Sequence, residues 1–220
     1  MARAPASDVR SPAGLWGRSA PHTKVLAVGV LAIGVFVALH GINAVTGDGR
    51  FLSVDQEQNL PTWARTLLYA FAAAACLTAA RWGTEHRRVW LWLGILLALF
   101  SLDDVAMGHE WLEDQGHGHA LITVWEPIAA VVVLAVFWAA HRTLPSPQRT
   151  LVVLAGVSLV LGQVCSSLGD EVHVHGEVVL LSLLEQSFEA MVGVLLLAAA
   201  AEPAQRALRR WAYARAASLS

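Results

Sequence analysis

Seven acidic and imidazole side chains could do most of the chemistry open to this chain: Asp104, His109, Glu126, Asp170, His175, Glu185 and Glu189. They lie in or beside long apolar runs, where an ionised group is costly and by default marks function. Glu185 and Glu189 are four residues apart and share one helix face. At about 1.5 Å of rise per residue, Glu126 and Glu185 lie roughly 12 Å below the nearer helix ends, and Glu189 about 18 Å down. Ser101, Asp103, Glu110, Ser167, His173 and His40 fall around the same end of the runs and form a secondary set.

Cations are scarce there, with only Arg50 and Arg65 on that side. The acids therefore need another way to be neutralised, and three are open. They could be protonated within a proton or cation path, because burial disfavours the charged form. They could belong to a structural hydrogen-bonded network. Or they could bind a divalent metal. Carboxylates interspersed with imidazoles suit Zn²⁺, Mn²⁺ or iron. Such groups projecting inward from facing helices are also how bundles build metal sites. The metal is the preferred reading. Pro127 directly follows Glu126 and frees a helix carbonyl near Thr123, a further oxygen close to the site. Gly116-His117-Gly118-His119 reads better as a solvated loop.

Part of the pattern occurs twice. Ser101-Leu102-Asp103-Asp104 followed by His109 matches Ser167-Leu168-Gly169-Asp170 followed by His175, at an offset of 66 residues. Trp125-Glu126 and Phe188-Glu189 each open a Val/Leu/Ala run, at an offset of 63. Any two membrane helices share apolar residues, but an Asp, a His and a Glu recurring in order indicate a duplication. The two hairpins would be parallel repeats, related by an axis along the membrane normal.

The elements that must hold these groups are long apolar helices. Of 220 residues, 56% are hydrophobic and only 15% charged, against about 25% charged in an ordinary soluble domain. Mean hydropathy is +0.53. Six apolar blocks, at 24–46, 60–80, 88–107, 119–141, 150–168 and 177–201, reach or approach the roughly 20 residues that cross a bilayer. The expectation is an all-α, six-helix transmembrane bundle over 24–201, with basic tails at 1–23 and 202–220. An uncleaved first helix is favoured over a signal peptide, since the run is long and lacks a small-x-small cleavage site. Arg3, Arg10, Arg18 and Lys24, then Arg81, Arg87 and Arg88, then Arg142 and Arg149, then Arg206, Arg209, Arg210 and Arg215 all fall on one side of a six-span chain. The positive-inside rule places that side, and both termini, in the cytoplasm. Cys76 and Cys165 lie within spans and read as packing residues.

Three segments resemble a group of bacterial multi-span membrane proteins without an assigned activity. They are Asp55-x-Glu57-x-Asn59-Leu60-Pro61-Thr62-Trp63, Phe100-Ser101-Leu102-Asp103-Asp104 with His109-Glu110, and Glu185-Gln186-x2-Glu189-x-Met191-x-Gly193. The resemblance covers about residues 30 to 200 and implies a bacterial plasma-membrane location. Two positions depart from the group's pattern: Asp104 stands for a Glu, which shortens the arm, and Gln186 stands for a second Glu, which removes a charge. A looser analogy joins the Ser, Asp and His at helix ends to membrane hydrolases of the alkaline ceramidase type, although the histidine spacing differs.

The function expected is an outer-facing intramembrane carboxylate and histidine site that binds a divalent metal and acts on a lipid-like substrate. A proton- or divalent-cation-coupled transporter with a cationic ligand is the alternative, and a non-enzymatic membrane subunit is a third. Membrane lipids are the expected partners. The basic segment from Arg206 to Arg215 faces anionic lipid rather than nucleic acid.

Overall fold

A computed structural model of the chain describes residues 20–46, 60–83, 85–106, 118–171 and 175–218. Within them the chain forms six helices: α1 (Pro21–Thr46), α2 (Leu60–Trp82), α3 (Arg87–Ala106), α4 (Gly118–Thr143), α5 (Ser146–Glu171) and α6 (His175–Ala217). Each coincides with one of the apolar blocks. Their starts follow local chemistry. Pro21 opens α1, where a missing N–H costs nothing, and the Ala20 carbonyl accepts from the Thr23 and Lys24 amides at 3.0 and 3.3 Å. The His86 carbonyl does the same for the Val89 and Trp90 amides at the start of α3.

Helix α6 is the hub. It packs along α1, α2 and α5, while α2 also packs along α3; α4 touches α3 and α5 at fewer points. Among the described residues, α5 and α6 therefore pair closely, whereas α3 leans on α2 rather than on α4. The buried stripe of α2 is Tyr69, Ala72, Ala73, Cys76, Ala79 and Ala80, and that of α6 is Val192, Leu195, Leu196, Ala199 and Ala200. Both follow helical spacing. Small residues dominate because they let helix backbones approach closely. Trp90, Leu93 and Leu97 of α3, with Val152 and Ala155 of α5, complete a buried apolar plug.

The outward surface is apolar too. Leu31, Val131, Leu134 and Phe71 are each 60–68% exposed, and a continuous surface of this kind is not stable against water. Among the described residues, four helices are long and apolar enough to cross a membrane: Pro21–Leu39 of α1, Thr62–Trp82 of α2, Ser146–Leu168 of α5 and Leu180–Ala217 of α6. In α4 the apolar stretch Pro127–Thr143 is shorter.

Helix α6 differs from expectation at its far end. It continues through Pro203 to Ala217, over residues that composition assigns to a tail. Loss of hydropathy at Glu202 ends the apolar run but not the helix. Ala and Arg are strong helix formers, and Arg206 pairs with Glu202 one turn earlier at 2.8 Å. Trp211 contacts Trp82, with ring centroids 6.1 Å apart, and Ala207 is buried.

One close approach decides how α1 docks. A Cβ on Gly29 would overlap both γ-methyl carbons of Val194 on α6. Val194 is β-branched and held to one rotamer in a helix, so the helices would have to part. Gly29→Ala is therefore expected to destabilise the detergent-solubilised protein by about 1–3 kcal/mol. Gly34, with open space around it, serves as control. There the same change should gain up to about 1 kcal/mol from the unfolded chain. Thermal unfolding of both variants checks this, and equal shifts would mean that α1 is not docked through Gly29.

Candidate functional site

Arg65, Thr66, Tyr69, Ser101, Gln186 and Glu189 form a polar layer at the acid-bearing end of the bundle, above the apolar plug, while buried Gln148 and Ser158 on α5 lie outside it. Helix α2 is its spine. Arg65 and Tyr69 are four apart and so share a face, and both reach α6. The Arg65 guanidinium forms an ion pair with Glu189 and also donates to Gln186 Oε1 at 3.2 Å. The Tyr69 hydroxyl donates to the Glu189 backbone carbonyl at 3.0 Å. On the α3 side of the spine, the buried Ser101 hydroxyl donates to the Thr66 carbonyl at 3.2 Å.

Helix α5 borders this layer as well. On α5, a Cβ at Gly162 would stand 3.4 Å from Glu189 Cγ, so the Glu189 side chain lies between α2 and α5. The ion pair is largely enclosed, with side-chain exposures of 13% for Arg65 and 26% for Glu189. A guanidinium is suited to this setting: it stays charged and offers five donors, enough to hold a carboxylate and an amide together.

The expectation that Glu189 lacks a cationic partner is thus corrected. Arg65 lies one turn inside α2, and α2 packs against α6 so that the two side chains meet. Gln186 takes part as an acceptor for the same arginine, a role open to an uncharged amide. Thr66 and Tyr69 were not among the sequence candidates. Their signal is position: they follow a lone arginine in an apolar run at spacings of one and four.

The other candidates distribute as follows. Glu185 is half-buried on α6, and Asp103 is exposed at the end of α3. The two serines of the repeat differ in use. Ser101 links α3 to α2, whereas Ser167 is exposed and donates to the Gln163 carbonyl of its own helix at 2.9 Å. His40, Asp104, Glu126, Asp170 and His175 occupy helical positions on α1, α3, α4, α5 and α6, but their side chains lie outside the described set. His109, Glu110 and His173 lie outside the described residues altogether. Among the described residues, no three His, Cys, Asp or Glu side chains come together.

Among the described residues, fold and site define an all-helical bundle with four helices long and apolar enough to cross a membrane and a largely enclosed, charge-bearing polar layer. The chain belongs to the DUF8692 family, a domain of unknown function whose model matches residues 23–202. The matched span contains the whole polar layer and ends before the arginine-rich extension of α6. No curated protein matches the chain, and no solved structure does.

Proposed function

We propose that the chain is a six-span protein of the bacterial plasma membrane that holds a divalent metal in a carboxylate and histidine site near the outer face. Helices α3 and α4 complete the six spans, and the arginine-rich ends face the cytoplasm. The α3–α4 and α5–α6 hairpins act as parallel copies, each bringing one Asp and one His: Asp104 with His109, and Asp170 with His175. Glu126 and Glu185 join them. Glu189, held by Arg65, forms the floor of the site.

One observation carries this reading. The Arg65–Glu189, Arg65–Gln186, Tyr69–Glu189 and Ser101–Thr66 contacts lie at one end, and beneath them Ala72, Cys76, Leu97, Val192, Leu196 and Ala199 are buried and apolar. A transporter needs polar groups along its whole path. Below the layer the described buried side chains are mostly apolar, with Ser158 and Gln148 of α5 as exceptions, so a one-sided site is favoured over transport. Arg65 neutralises one acid of the layer, and the carboxylates above it outnumber the cations on that side. A bound metal would act as a Lewis acid and lower the pKa of a bound water, the chemistry needed to cleave an ester or amide of a lipid-like substrate.

Elemental analysis of protein purified without chelator tests the reading. Wild type is expected to carry roughly one or two equivalents of Zn, Mn or Fe, as carboxylate-histidine bundle sites do. Glu126→Gln should lose it. Metal-free wild-type protein would sink the proposal. The Arg65–Glu189 pair supports one second reading, in which the layer is purely structural. That reading expects no metal in any sample and a loss of stability when Arg65 is replaced.

A further inference from the structure

A cavity lies at the opposite, arginine-rich end of the bundle, away from the polar layer. The α2–α3 turn, the start of α5 and the extension of α6 border it, and it is a small cleft of about 40 Å³ beneath an open mouth. Its polar lining is Glu85 and His86 from the turn, Gln148 from α5, and Arg206 and Arg210 from α6. His86 sits at a φ of 52°, a left-handed conformation uncommon outside glycine.

Gln148 is the informative group. It is only 7% exposed, and its Oε1 has no hydrogen-bond partner. Buried polar atoms are nearly always paired, so an orphan acceptor beside a cavity points to a missing donor. Its amide can also turn about its last bond, presenting either the oxygen or the NH₂ to the cavity. The arginines supply the opposite need. Arg206 spends its Nη1 on Glu202 at 2.8 Å, and a guanidinium has five N–H donors in a fork suited to phosphate.

The lining therefore offers donors on α6 and acceptors on α5 and the turn. A bare phosphate diester satisfies the first but not the second, because it has no N–H or O–H to give. We propose that this cavity binds a phosphodiester or phosphomonoester whose headgroup carries hydrogen-bond donors, as ethanolamine and glycerol do. The phosphate lies on Arg206 and Arg210, and the amine or hydroxyl reaches Gln148 and Glu85. The same chemistry is found in a lipid headgroup and in a soluble phosphate ester. The cavity's place at the end of the apolar helices puts it at headgroup level.

Phosphatidylethanolamine and phosphatidylcholine have the same net charge and differ in N–H donors, so they isolate the acceptor half of the site. The full chain, reconstituted in an equal mixture of the two and washed in detergent, would be analysed for retained lipid by mass spectrometry. Wild type is expected to enrich phosphatidylethanolamine about tenfold, the scale of one hydrogen bond to a charged group. Gln148→Leu should abolish that preference. Arg206→Gln combined with Arg210→Gln should lose both lipids. These two positions lie toward the exposed face of α6, so that variant still reports on the cavity if Gln148→Leu does not assemble. Arg209→Gln, an exposed neighbour outside the lining, should retain wild-type behaviour.

O-phosphoethanolamine added to lipid-depleted protein distinguishes the sources. Binding of this soluble ester with the same dependence on Gln148 and the arginines, without lipid enrichment, would support the site and assign it a soluble ligand. Two results overturn the proposal. One is no preference for phosphatidylethanolamine together with no binding of the soluble ester. The other is an equal loss in Arg209→Gln, which would reduce the effect to diffuse surface charge. Neither result bears on the metal site at the other end.

Discussion

Arg65→Met is expected to destabilise the protein by about 3 kcal/mol, and adding Glu189→Met should recover most of that loss. The asymmetry follows from what each change leaves behind. Removing the arginine strands a carboxylate between α2, α5 and α6, and an uncompensated buried charge costs about 3–5 kcal/mol. The lower end applies because Glu189 is about a quarter exposed. Removing both partners also removes the need to desolvate either charge, and apolar side chains of similar volume fill the space. Reversible unfolding in mixed micelles, run as a double-mutant cycle, measures the coupling. Equal losses in the single and double variants would show that the pair does not hold the layer together. A neutral Arg65→Met would show that Glu189 does not depend on Arg65.

The same pair shows where sequence reasoning stops. Helix positions were legible because apolarity and length are local properties. The blocks at 24–46 and 60–80, for example, became Pro21–Thr46 and Leu60–Trp82. The acids were legible as well, since a carboxylate inside such a run is conspicuous wherever it lies. Their partners were not, because Arg65 and Glu189 are 124 residues apart and meet only through the packing of α2 on α6. Nothing local distinguishes Arg65 from an arginine at a helix end. The far end of α6 was missed for a related reason. Hydropathy reports what a segment dissolves in, whereas helix continuation depends on propensity and on contacts such as Trp82 with Trp211.

Close packing below the polar layer should control the layer itself. Gly193 lies one turn beyond Glu189 on α6. A Cβ there would stand 3.0 Å from Leu68 Cβ and 3.2 Å from Tyr69 Cδ1. The missing side chain lets α2 approach closely enough for Tyr69 and Arg65 to reach Glu189. Gly193→Ala sets two similar effects against each other, a helix gain of about 0.5–1 kcal/mol against crowding by a few tenths of an ångström, so its stability should stay within about 1 kcal/mol of wild type. Gly193→Leu has no such balance. Overpacking costs about 1–3 kcal/mol, and the displaced Tyr69 hydroxyl loses a hydrogen bond worth about 1 kcal/mol. With the ion pair also strained, a total of about 4 kcal/mol is expected. The decisive comparison places Gly193→Leu in the Arg65→Met, Glu189→Met background. There no charge is left to strand, so the leucine should cost about 1–2 kcal/mol less than in wild type, a coupling typical of residues that share partners. An identical cost in both backgrounds would separate the plug from the layer, because the glycine would then serve packing alone.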